Sequence, residues 1–141
     1  MLVKPMKILS TAWNIYDDRL QEFSMNCTGG GLVIKNICEY LGRTEQSYLL
    51  LGRYSLPAMK IGNINLVDTE TLAGKNSNVH TNSHHLVDMT RSFELALEKI
   101  KPDIVNIHDF GDFSLNCMAR CAARQIPYVC TSHLYIGLQK E

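Results

Sequence analysis

The sequence predicts an α/β fold on a doubly wound, mainly parallel sheet. Two observations predict it. Short runs such as KILSTAW (7–13), SYLLL (47–51) and DIVNIH (103–108) are dominated by apolar residues without regular polar alternation. That pattern marks strands buried on both faces. Between the runs, apolar residues recur every three or four positions, so strands alternate with amphipathic helices. Right-handed crossovers then make a doubly wound sheet the main candidate.

The first strand is read over Lys7 to Trp13. A polar segment from Asn14 to Thr28 follows and runs into Gly29, Gly30 and Gly31. Val33, Ile34, Ile37, Cys38 and Leu41 fall at helical spacing, and Gly42 stands where a helix stop belongs. Ser47 to Leu51 reads as the second strand, bounded by Gly52, and Ile64 to Val67 as a short third. The stretch GKNSNVHTNS (74–83) is loop-like. Leu86, Met89, Phe93, Ala96, Leu97 and Ile100 then mark a helix of about four turns. Asn82 or Ser83 can cap its start, and Pro102 forbids its continuation. Asp103 to His108 is the fourth strand. Asp112 or Ser114 caps a last helix to about Arg124, with Leu115, Met118, Ala119 and Ala122 expected inward. Cys117 and Cys121 share one face of that helix and are read as small thiols packed against the sheet. Pro127 to Thr131 is the fifth strand.

Composition bounds the function. The chain has 141 residues, one domain's worth, with 14 Lys+Arg against 14 Asp+Glu. That balance removes the usual electrostatic case for nucleic acid as a partner. No stretch approaches the ~20 apolar residues that span a bilayer, and no secretory signal is legible, so the expected compartment is cytoplasmic. The five cysteines form no CxxC pair and are read as reduced thiols. After the fifth strand no helix is read that would cover the sheet's last edge. Either the tail from His133 to Glu141 caps it, or the sequence is part of a larger protein.

In such a sheet ligands bind beyond the carboxyl ends of the strands, where the winding reverses. The first strand should lie beside the fourth there. That expectation brings Trp13 and Asn14, His108 and Asp109, and Ser132 and His133 to one rim. Gly29, Gly30 and Gly31 enter the first helix from the same rim and would let an anion such as a diphosphate approach free N–H groups. The run is neither G-x-G-x-x-G nor a P-loop, so dinucleotide and Walker-type phosphate sites are not indicated. His80, His84 and His85 lack a third ligand at metal spacing, and a polar loop explains them better than zinc. No nucleophile triad or paired-carboxylate site is legible.

With these residues in view, the sequence resembles the N-terminal half of family-4 glycosyltransferases, the retaining enzymes of the GT-B fold. The resemblance runs over KILSTAW…TGGGLVIKNICEYLGR (Lys7 to Arg43) and KPDIVNIHDFGDFSLNCMARCAARQIPYVCTSHLYIG (Lys101 to Gly137). It implies a Rossmann-like acceptor-side domain that works on a nucleotide-sugar donor without a metal or other cofactor. It implies that Gly29, Gly30 and Gly31 approach the donor diphosphate and that His133 contacts the donor sugar and supports catalysis. Asn14, His108 and Asp109 would line the acceptor side. Its acceptor would be a sugar, a lipid or another small molecule, with peripheral membrane contact left open. The chain departs from the family in a longer first loop. The family's second α/β domain, which carries most nucleotide contacts and an E-x7-E motif, is not read in residues 1–141. It is expected in the same or a separate chain, and residues 1–141 alone are expected to turn over little. The alternative is a stand-alone Rossmann-like module that binds a phosphorylated ligand or a partner protein without catalysis. An enzyme of another kind on a flavodoxin-like sheet is a third reading, with a shorter phosphate loop than this chain's.

Overall fold

A computed structural model describes residues 3–12, 16–17, 22–23, 29–52, 56–69, 83–108 and 111–131. The elements in chain order are β1 (Lys7–Ala12), β2 (Tyr16–Asp17), β3 (Glu22–Phe23), α1 (Gly29–Leu41), β4 (Gln46–Leu51), β5 (Met59–Ile61), β6 (Ile64–Leu66), α2 (Ser83–Ile100), β7 (Ile104–His108), α3 (Asp112–Ala123) and β8 (Tyr128–Thr131). The main sheet has six strands in the order β5-β6-β4-β1-β7-β8, and only β5 runs antiparallel to its neighbour.

All five expected strands are present, and the first does lie beside the fourth, with Ile8 level with Ile104 and Thr11 with Ile107. Two features lie outside the expectation. β5 joins the edge through a two-residue turn whose Gly62 has φ +55°, and β2 and β3 form a separate antiparallel pair inside the segment read as a polar loop. These strands have only two or three residues, too few for a period to register.

The helices cover both faces, as a parallel sheet requires. On one face Ile34 and Cys38 of α1 pack with Ala12, Leu49, Leu51, Ile64 and Leu66. On the other, Met89, Phe93, Ala96 and Leu97 of α2 and Phe113, Cys117 and Cys121 of α3 pack with Leu9, Leu50, Val105 and Ile107. The inward face of α3 corrects the sequence expectation. Leu115 is 56% exposed, Ala119 and Ala122 are exposed, and Met118 is only partly buried. Phe113, Ser114, Cys117 and Cys121 face the sheet instead. The two thiols pack against the sheet as expected, and Phe113 joins them on that face, with Met118 at its margin.

The N-terminal ends of the strands are tied polar to polar. Lys7 N donates to Asp103 Oδ2 at 2.7 Å, and Lys7 Nζ donates to the Ile100 carbonyl at 3.1 Å. Glu39 on α1 holds the β5–β6 turn, its carboxylate accepting from Asn63 N at 2.9 Å and Asn63 Nδ2 at 2.8 Å.

Buried thiols make one pH prediction. Desolvation holds the Cys38 and Cys117 thiols above their ordinary range, and it pushes Cys121 up to about 11. The nearby Cys121 raises Cys117 further, while the hydroxyls of Ser10 and Ser47 beside Cys38 and of Thr11 beside Cys117 offset part of the effect. In the unfolded chain these thiols ionise near the ordinary value of 9.0. Their contribution to stability is therefore complete below that pH and is lost as pH rises towards the folded values. Urea midpoints measured in reducing buffer should be flat up to about pH 8.5 and fall above it. Thiol alkylation of the native protein at pH 8 should leave Cys38, Cys117 and Cys121 largely unmodified; rapid labelling of all three would contradict the packing.

Candidate functional site

The winding reverses at β1. Both of its neighbours, β4 and β7, are parallel to it, and the chain reaches β4 through α1 but β7 only after β6 and α2. A crevice beyond the ends of β1 and β7 is therefore the place where this architecture accepts ligands. Two helix starts lead out of that rim, because α1 follows β1 and α3 follows β7.

The two starts differ in charge. α1 opens with Gly29, Gly30 and Gly31 and has no acidic residue in its first turn. The glycines form that turn itself, three residues ahead of where apolar spacing begins. Their N–H groups are among the four that a helix leaves unpaired at its start, and they lie at the positive end of the helix dipole. Gly31 is buried. α3 instead starts after Gly111, whose backbone is extended and which supplies no side-chain cap. Asp112 stands in its first turn and disfavours a bound anion. Of the two, the α1 start is the better anion site.

His108 closes β7 and is 1% exposed. Its carbonyl accepts a hydrogen bond from Ser114 Oγ at 3.1 Å, which fixes the first turn of α3 against the strand end. Val105 and Ile107 belong to the core under α2 and α3. Strand alternation therefore puts Ile104, Asn106 and His108 on the α1 side, the side from which the glycine turn leaves. Thr131 of β8 is level with His108.

Sequence reading passed over Asn106. It is level with Ser10 of β1 and half-buried, and its Oδ1 is a buried acceptor without a hydrogen-bond partner. The buried Ser10 and Ser47 hydroxyls likewise lack an oxygen or nitrogen partner, and each lies against the Cys38 thiol. The α1 side of the sheet is thus unusually polar for a doubly covered core. The signal was available, because Asn106 and His108 share one parity within β7.

Of the expected site residues, the described ones, Gly29, Gly30, Gly31 and His108, share the rim and one side of the sheet. Asn14, Asp109 and His133 lie outside the described residues, as do Trp13 and His80. His84 and His85 fall in the first turn of α2. No group of three metal-ligating side chains occurs among the described residues. No helix among them is long and apolar enough to cross a membrane. A separate cleft of about 350 Å³ lies between α2 and the β4–β6 side of the sheet, lined by Tyr48, Met59, Asn65, Leu66, Lys99 and Ile100, away from the glycine turn. No family model matches the chain, and no curated protein matches it.

Proposed function

We propose that residues 1–141 form the acceptor-side domain of a GT-B glycosyltransferase, and that its rim meets the diphosphate of a nucleotide-sugar. The observation that carries this reading is the α1 start. Three glycines without acidic neighbours open a helix at the switch point, on the same side of the sheet as the buried His108. A diphosphate there gains unpaired N–H donors and the helix dipole, and no side chain stands between it and the backbone. The imidazole at the adjoining strand end has ring nitrogens that can donate to, or accept from, a sugar hydroxyl. His133, in the segment after β8, is the imidazole that this reading assigns to the donor sugar, while His108 lines the acceptor side.

The division of labour in a two-domain transferase sets the expected strength. One α/β unit holds a part of the donor, and orientation between the reactants is gained only when both units grip them. Residues 1–141 should therefore bind a nucleotide-sugar weakly, with Kd near 1 mM, about −4 kcal/mol. Hydrolysis and transfer should stay at background. Calorimetric titration with a panel of uridine, guanosine and adenosine diphosphate sugars tests this. A Gly30→Val variant should weaken the binding at least about tenfold. Low-micromolar affinity would contradict the proposal, because it would mean a complete donor site within one unit. Indifference to the Gly30 substitution would also contradict it.

A further inference from the structure

We infer that the cleft between α2 and the β4–β6 side of the sheet is a second binding site, built for a small organic acid with an apolar body. It lies away from the glycine turn and does not depend on how the rim is read.

The shape comes first. The cleft holds about 350 Å³, within the range of about 300–1,000 Å³ over which small-molecule sites fall. Ala96, Lys99 and Ile100 of α2 form one wall, and Tyr48 of β4 with Asn65 and Leu66 of β6 form the other. Ala96 faces the sheet and Ala58 stands at the mouth. Neither side chain is long enough to fill the space between helix and strands. Leu66, Ala96 and Ile100 give the interior an apolar lining that suits a hydrocarbon body.

The polar groups are few and placed in a row. Tyr48 is level with Asn65, and Lys60 of β5 stands opposite Asn65 in the antiparallel register, so all three share the cleft face. The Tyr48 hydroxyl donates to Gln46 Oε1 at 3.3 Å, and Asn65 Nδ2 donates to the Ser47 carbonyl at 3.1 Å. Both side chains are thereby held in place. Lys99 closes the helix wall. The other cations between the helices are matched, Arg120 with Glu94 at 3.2 Å and Arg124 with Glu98 at 3.3 Å. Lys60 and Lys99 make no ion pair among the described residues.

That arrangement selects its ligand. A carboxylate at the mouth gains a charge-assisted hydrogen bond from the Lys99 ammonium, and Lys60 adds a second positive charge on the same face. The last carbonyls of a helix ordinarily repel an anion. Here the Leu97 carbonyl accepts from Lys101 N at 2.9 Å and the Ile100 carbonyl from Lys7 Nζ at 3.1 Å, which offsets the repulsion. Asp68 also lines the cleft, so a diphosphate with its several charges is disfavoured relative to one carboxylate. The apolar lining then requires a hydrocarbon body behind that carboxylate.

Amide-resolved NMR titration of the 141-residue chain with phenylacetate and with hexanoate tests the site, with neutral phenylacetamide as the control. At least one acid should bind saturably with Kd of about 1 mM or below, its largest shifts at Tyr48, Asn65 and Lys99. Phenylacetamide should bind at least about tenfold more weakly than phenylacetate. Lys99→Met keeps the length of the side chain and removes its charge, and it should weaken binding of the acid at least about tenfold. Ala58→Phe should block the mouth and abolish binding. Lys99 and Ala58 are exposed, and circular dichroism should show both variants folded. Three results would each overturn the inference: no saturable shift with either acid up to about 10 mM, equal affinity for the amide, or binding that survives both substitutions.

Discussion

Phe93→Ala should cost about 3–5 kcal/mol of folding stability, the largest loss expected from any single core truncation here. Phe93 is the largest of the fully buried side chains among the described residues. It projects from the middle of α2 among Leu9, Leu50, Met89, Leu97, Val105 and Ile107, where the helix and the three central strands β1, β4 and β7 share one cluster. A rigid backbone on both sides leaves little room for collapse, so the lost transfer energy is joined by a cavity term. Domains of this size hold only about 5–15 kcal/mol in total. The midpoint of thermal unfolding should fall by roughly 10–15 °C. Leu115→Ala is the matched control. Leu115 is exposed on α3, and its truncation should shift stability by less than about 0.5 kcal/mol. Denaturant unfolding of both variants decides the matter. Equal losses would mean that α3 presents the other face to the sheet.

Gly42→Ala is the second large effect, and its sign is the informative part. Replacing a glycine by alanine in unstrained backbone ordinarily stabilises by about 0.4–1 kcal/mol. Gly42 has no left-handed φ to defend. Yet a Cβ there would collide with the Asn63 carbonyl oxygen and stand 2.8 Å from Asn63 Cβ and 2.9 Å from its carbonyl carbon. The obstacle is mainly backbone, and that backbone is pinned to α1 by Glu39. Relief requires moving the β5–β6 turn away from the helix end. Overpacking of this kind costs about 1–3 kcal/mol, and Gly42→Val should cost more than Gly42→Ala. Urea unfolding measures the difference directly. A stabilised Gly42→Ala would show that the turn does not rest on α1.

These two residues also show what the sequence made legible. Phe93 stood in an apolar stripe with Met89, Ala96 and Leu97, and a stripe at that spacing has one physical meaning. Gly42 was legible as a helix end, but its reason was not, because a close approach from Asn63 is a tertiary fact. β1, β4, β7 and β8 were readable because their apolar residues outnumber what one buried face needs. β2, β3 and β5 were not, since two or three residues carry no period. On α3 the two thiols were legible as packing against the sheet, but Leu115, Met118, Ala119 and Ala122 form a second plausible stripe, and only tertiary packing leaves Leu115 and the alanines exposed. Apolar spacing in α1 begins only at Leu32, because glycines contribute nothing to it, although the helix opens at Gly29.

For the site, the rim was legible through topology. Once strand and helix alternate with right-handed crossovers, β1 must neighbour β7, and His108 is carried to the switch point. Which side of the sheet His108 occupies followed only from the burial of Val105 and Ile107. Asn106 shares that side, and its unpartnered Oδ1 makes it a candidate to meet a ligand or a water.

The central claim is that the α1 start and the end of β7 form one diphosphate-binding rim. Amide-resolved NMR during a titration with uridine diphosphate, and with a uridine diphosphate sugar, tests it most directly. The largest shifts should fall on Gly29, Gly30, Gly31 and His108, with Lys99 and Ile100 beside the separate cleft unmoved. Shifts confined to that cleft, or spread without a maximum at the glycine turn, would contradict the account.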